Sequence, residues 1–148
     1  MNRRSLFPLL AAPAFAQAPA KPAPATRADV FRVQLRHTWT TTMSSSNHRD
    51  VIYFQFQRQG LTGHGEGAPI IRYHETAEQG VATLDSLRDF FANADPARYH
   101  KLLAQLFSRV EGQYAMKAAV DIALFDWLGQ KLGVPVYRYF GLDAADAP

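Results

Sequence analysis

The chain has 148 residues, no cysteine, 20% charged residues and a net charge of +3. That length holds one core, and the lack of Cys excludes a disulfide framework and a thiolate metal site. Two of the cations, Arg3 and Arg4, stand in a leader without acids, so its removal lowers the charge by two, to +1; no cationic cluster remains that could neutralise a row of phosphates, and nucleic acid is excluded as a partner.

The leader comprises residues 1–18. Arg3-Arg4 makes a positive start, Leu6 to Ala16 is an apolar run interrupted by Pro8 and Pro13, and Ala16-Gln17-Ala18 offers small residues for cleavage. The run is well short of the roughly 20 residues of a spanning helix. The expectation is an export signal to the periplasm, resembling the twin-arginine type, with no membrane span. Pro19 to Ala28 alternates proline with small residues and is expected to be an extended linker.

Structure is expected from Asp29. Phe31, Val33, Leu35 and His37 alternate with Val30, Arg32, Gln34 and Arg36, which predicts a half-buried strand with the first set inward and Val30 as an odd residue on the polar side. Thr38 to Asn47 is rich in hydroxyls that compete for backbone hydrogen bonds and is expected to be a loop. Val51 to Gln59 has the aromatic and β-branched content of a strand. Gly60 permits a tight turn into an antiparallel strand, Leu61 to Glu66. Ala68 to His74 is a second loop.

The remainder reads as helical. Val81, Leu84, Leu87 and Phe91 predict a helix from Thr76, its N-cap, to about Ala92. Asp95-Pro96 starts another. A third runs from about Gln113 to Leu132, carries a Lys117–Asp121 i,i+4 pair, and stops at Gly133 and Pro135. Three strands followed by three main helices is an α+β order.

Motifs for chemistry are sparse. Gly63-His64-Gly65-Glu66-Gly67 lacks the Lys and the following helix of a phosphate loop and reads as a structural strand. The five histidines lack metal-ligand spacing; His64, Glu66, His74 and Glu75 read as surface polar groups rather than a metal cluster. Asp121 and Asp126 lie about 140° apart around a helix, too far to act together. No catalytic and no metal residue is assigned.

Ala118-Ala119-Val120-Asp121-Ile122-Ala123-Leu124-Phe125-Asp126, Gly133-Val134-Pro135-Val136-Tyr137 and Gly141 resemble the end of the N-terminal capping domain in the mandelate racemase/muconate-lactonising branch of the enolase superfamily. Pro69-Ile70-Ile71-Arg72-Tyr73-His74-Glu75-Thr76 is similar to the corresponding run of dipeptide epimerases of the L-Ala-D/L-Glu type. The resemblance implies a three-stranded antiparallel sheet with a helical bundle over 29–134, and 135–148 leading toward a (β/α) barrel missing from this chain. In the family that barrel supplies the Mg²⁺ ligands and two catalytic lysines, so this chain is expected to bind no cofactor and to be inactive alone. The cap closes on the substrate with two loops, which points to Thr41, Met43, Ser44, Asn47, Arg72 and Tyr73 as ligand contacts. Ser44 stands where some epimerases have an Arg for a substrate side-chain carboxylate, so the second residue of the dipeptide is open. The resemblance thus implies the lid of a Mg²⁺-dependent epimerase, binding a dipeptide or other small carboxylate only together with a barrel, in a family where oligomers occur. Two alternatives stand beside it: a non-catalytic interaction module, and the cap of a cycloisomerase or sugar-acid dehydratase.

Overall fold

A computed structural model describes residues 25–143 and Ala145. The expected leader and residues 19–24 of the linker lie outside the described residues. Three strands, β1 (Thr26–Thr40), β2 (Ser45–Arg58) and β3 (Leu61–Gly67), form an antiparallel sheet in sequence order. Five helices follow: α1 (Ala77–Ser86), α2 (Arg88–Ala92), α3 (Tyr99–Arg109), α4 (Tyr114–Leu132) and α5 (Val136–Tyr139), with 3₁₀ turns at Ile71–Tyr73 and Pro96–Arg98. The α+β class with three main helices is as expected.

The helices cover one face of the sheet. Ile52, Phe54 and Phe56 of β2 point into them and are fully buried with Leu84, Phe91, Leu106, Met116, Leu124 and Trp127. Gly63, Gly65 and Gly67 lie opposite Phe56, Phe54 and Ile52 in the ladder and share that face. A Cβ on any of the three would strike the backbone of α4 at Ala123, Ala119 and Ala115 respectively. Two strand residues advance about 6.7 Å and four helix residues about 6.0 Å, so glycine at every second strand position meets alanine at every fourth helix position. The glycine run is therefore a packing seam, in keeping with a structural strand.

Side chains of α4 complete the seam by satisfying the free edge of β3. Asp126 Oδ2 accepts from the His64 N–H at 2.9 Å. Gln130 Nε2 donates to the Thr62 carbonyl at 2.7 Å and to Asp126 Oδ2 at 3.0 Å. Trp127 Nε1 donates to the Arg58 carbonyl at 3.0 Å, next to the Gln59-Gly60 turn. The Asp126 and Gln130 bonds use β3 edge groups that would otherwise be open to another strand.

Several local signals act as expected. Thr76 caps α1 in a full capping box with Gln79. Asp95 accepts from the Ala97 N–H ahead of α3. Gly133, with φ of 68°, caps α4. Gln59 and Gly60, both at positive φ, make the two-residue turn between β2 and β3.

Five expectations are corrected. The sheet starts at Thr26, not Asp29, because Thr26, Arg27 and Ala28 pair with Phe56, Gln55 and Phe54. The faces of β1 are reversed: Val30 lies opposite Ile52 on the inner face, whereas Phe31 and Val33 are on the outer face, 50% and 44% exposed. Alternation separates the two faces of a strand but does not say which the helices cover. Most of the expected loop at Thr38–Asn47 is strand, with only Thr41–Ser44 unpaired. The ladder slips between Gln34 and Trp39, and Gln34 Nε2 donates to the Asn47 carbonyl there at 2.7 Å. The first predicted helix breaks at Leu87 into α1 and α2, where the Ser86 hydroxyl bonds the Thr83 carbonyl. Lys117 forms no ion pair with Asp121 among the described residues; it is buried, with Nζ 4.6 Å from the Phe107 ring centre and 5.4 Å from that of Tyr114.

Candidate functional site

The β1–β2 hairpin extends beyond the helices, and its tip faces the segment that follows β3. Between them is a cleft of about 730 Å³. One wall comes from the tip, Trp39 and residues 41–46, with His48, Arg49 and Asp50 below it. The other comes from Pro69 to Arg72 and the start of α1.

The tip is built by its own hydroxyls. The Thr41 N–H donates to the Ser44 carbonyl at 2.8 Å. Thr41 Oγ1 accepts from the N–H groups of Met43 and Ser44 at 3.2 and 3.1 Å and lies 3.3 Å from the Ser44 carbonyl. Thr40 and Ser45 join hydroxyls across the strands at 3.0 Å. Ser46 Oγ donates to the His48 carbonyl at 2.7 Å and accepts from its N–H. This is the chemistry by which Ser and Thr make turns.

Two acids in the lining are also committed. Arg32 grips Asp50 through two bonds of 2.7 Å. The hydrogen bonds hold the Asp50 carboxyl below its ordinary value and raise that of Arg32. Glu75 accepts from the N–H groups of Tyr114 and Ala115 at 2.8 and 3.3 Å, so its carboxylate caps α4. By contrast, Arg49 and Arg72 form no ion pair among the described residues.

Of the six residues expected to contact ligand, Thr41, Met43, Ser44 and Arg72 line the cleft. Asn47 and Tyr73 do not: the Asn47 side chain bonds His48 Nδ1 at 3.0 Å, and the Tyr73 ring packs on Tyr114 with centres 5.0 Å apart. Trp39, Ile70 and Ile71 are lining residues that sequence reading did not single out. Consecutive isoleucines after Pro69, in a stretch with no strand partner, are the signal that marks them.

His64, Glu66, His74 and Glu75 do not assemble. His64 Nδ1 shares a hydrogen bond of 2.7 Å with the Tyr53 hydroxyl on the outer sheet face, and Glu75 is spent on α4. Among the described residues no group of three or more His, Asp or Glu is placed to hold a metal. The described residues therefore do not form a Mg²⁺ site. Nor is any described helix long and apolar enough to cross a membrane.

Asp126 is occupied in the α4–β3 seam. Asp121 is raised above its ordinary value by burial, the nearby His100 opposing the shift. Near it, Phe125 gathers Tyr99 and Phe140 at centre distances of 5.0 and 5.3 Å and so ties α5 to α3 and α4.

Comparison with known proteins places residues 25–141 in a match to the model described as mandelate racemase / muconate lactonizing enzyme, N-terminal domain. An L-Ala-D/L-amino acid epimerase of Pedosphaera parvula is 34% identical over 118 residues, covering 74% of this chain and 32% of the relative. An L-Ala-D/L-Glu epimerase of Bacteroides thetaiotaomicron is 32% identical over 120 residues, covering 80% and 30%. Among solved structures, the dipeptide epimerase of Enterococcus faecalis complexed with Mg and the dipeptide L-Leu-L-Tyr superposes with a TM-score of 0.70 at 25% identity, covering 78% of this chain and 33% of that one. The chain spans about a third of the length of the curated relatives it matches.

Proposed function

The chain belongs to the mandelate racemase / muconate lactonizing enzyme N-terminal domain family, and from that premise we propose that it is the substrate-covering lid of a Mg²⁺-dependent epimerase acting on dipeptides. The observation that carries this reading is the cleft, formed between the hairpin tip and the segment after β3. Most of the relatives it matches are epimerases of L-Ala-D/L-amino acid or dipeptide type, alongside an N-succinyl-L-Arg/Lys racemase and an o-succinylbenzoate synthase, and one dipeptide epimerase was crystallised with Mg and a dipeptide.

The lid binds and orients; it does not move the proton. The described residues of the cleft contain no lysine and no metal-holding group. Removal and return of an α-proton on opposite faces of a carbon requires two groups astride that carbon. In this proposal those groups and the metal ligands come from a barrel outside the lid, and the exposed residues Ile122, Phe140 and Leu142 belong to the surface that meets it.

The test is incubation of the purified chain with Mg²⁺ and L-Ala-L-Glu or L-Ala-L-Leu, followed by chiral chromatography. The expected result is no D-containing dipeptide; accumulation of one places the chemistry in this chain and refutes the division of labour. We further propose export to the periplasm, supported by the Arg3-Arg4 leader. Replacing both with Lys should leave the protein in the cytoplasm, and undiminished secretion would remove the twin-arginine route.

A further inference from the structure

A second concavity, of about 320 Å³, lies between the end of α2 and α3. It shares no lining residue with the cleft, so what it binds is independent of the lid reading. Arg98, Lys101 and Arg109 line it, against one acid, Asp95. The cations are dispersed over residues 98–109 of the sequence, and the helix brings them to one groove.

Asp95 is already engaged. It accepts from the Ala97 N–H at 3.1 Å and stands 3.6 Å from Arg98 in an exposed pair, which water largely screens. Lys101 and Arg109 form no ion pair among the described residues. The Arg109 guanidinium lies over the Phe90 ring, 5.0 Å from its centre. Stacking holds the side chain and leaves its N–H edge open to a carboxylate. The last carbonyls of α2 would add negative potential beside the groove. Arg58 of β2 takes them up: its Nη2 donates to the carbonyls of Phe91, Ala92 and Ala94 at 2.9, 2.7 and 3.2 Å. Ala94 lines the groove, and Arg58 forms no ion pair among the described residues.

Shape narrows the ligand. Lys101 and Arg109 are separated by about 12 Å along the helix axis, and an extended chain covers that length in about four residues. Leu102, 4% exposed, and half-buried Phe90 make part of the lining apolar. So few cations suit a short segment and not a row of phosphates, and a concavity suits a chain and not a flat bilayer.

We infer that the α2–α3 groove is a docking site for an extended acidic segment of another protein. Two of its carboxylates, about four residues apart, meet Lys101 and Arg109, and an apolar side chain between them rests on Phe90 and Leu102.

The experiment is a titration of the 148-residue chain with the acetylated and amidated peptide Glu-Leu-Ala-Leu-Glu, followed by amide NMR. Saturable shifts are expected at Phe90, Leu102 and Gln105, with Ser44 and Ile71 of the cleft unmoved. Affinity should fall about tenfold when both glutamates of the peptide become glutamine, and should weaken as salt rises. Lys101→Glu with Arg109→Glu should abolish binding of this peptide and accept Lys-Leu-Ala-Leu-Lys instead, an exchange that loss of structure does not produce. Should that double variant not fold, Lys101→Gln alone, at an exposed residue, should weaken binding about threefold. Equal binding of the glutamine peptide, shifts confined to the cleft, or no shift at all overturns the inference. The same shifts from citrate or inorganic phosphate at lower concentration than the peptide also overturn it, since the groove would then hold small anions.

Discussion

The seam between α4 and β3 and the cleft at the hairpin tip use the same residue types in opposite ways. In the seam, polar side chains reach across elements: Asp126, Gln130 and Trp127 each bond the backbone of the sheet. In the tip, polar side chains turn inward on their own few residues, and the apolar ones are left facing outward. The first arrangement fixes one element to another and leaves nothing for a ligand. The second fixes a loop while presenting Trp39 and Met43 to solvent. Function is expected where polar groups are satisfied within the loop and apolar side chains stay exposed, and stability where polar side chains bond across elements and the apolar ones are buried.

The largest effect that could break this contrast is at the seam. Gly65→Leu places a side chain into the backbone of α4, and the loss should exceed about 3 kcal/mol, the upper part of the overpacking range. Thermal unfolding by circular dichroism reads it; a native-like midpoint would mean that α4 does not bear on β3 as described. Trp127→Ala empties a core site and frees the Arg58 carbonyl, with an expected cost of about 3–5 kcal/mol in urea unfolding. Glu75→Ala removes the acceptor of two α4 N–H groups and should cost about 1–2 kcal/mol. A cost near zero there would show that water caps α4 equally well.

At the tip, Met43→Ala should change stability by no more than about 0.5 kcal/mol, because the side chain is exposed. A large loss of stability would make Met43 part of the core and erase the distinction between the regions. The smallest effect concerns Asp121. Its folded-state value is raised by burial, so the folded chain holds the proton more tightly than the unfolded one. Stability is therefore undiminished at low pH and declines as pH rises through the carboxylate range. Asp121→Asn should raise the melting temperature slightly at about pH 7 and leave it unchanged at about pH 3. An equal gain at both would point to packing instead of charge.

The seam was more legible in sequence than the cleft, and the reason is geometric. Glycines at every second strand position mark a close approach or a bulge, while the alanines spaced by four on α4 that meet them are identified by the structure. Caps at Thr76, Asp95 and Gly133 depend on the nearest few residues, so they too can be read directly. The cleft depends on register. That Arg32 meets Asp50, that Val30 turns inward while Phe31 does not, and that the hydroxyl-rich stretch pairs instead of looping, all follow from how β1 aligns with β2. A single strand's pattern does not contain that alignment. Thr41, Met43, Ser44 and Arg72 were reachable through family resemblance; the apolar set of Trp39, Ile70 and Ile71 emerges only when the two walls are placed together.

The most direct test of the central claim, that this domain does not do the chemistry, is one NMR sample of the chain in D₂O with Mg²⁺ and L-Ala-L-Leu. The account predicts that the α-proton signal of the dipeptide keeps its full intensity. Loss of that α-proton signal to deuterium in the presence of the chain would contradict it.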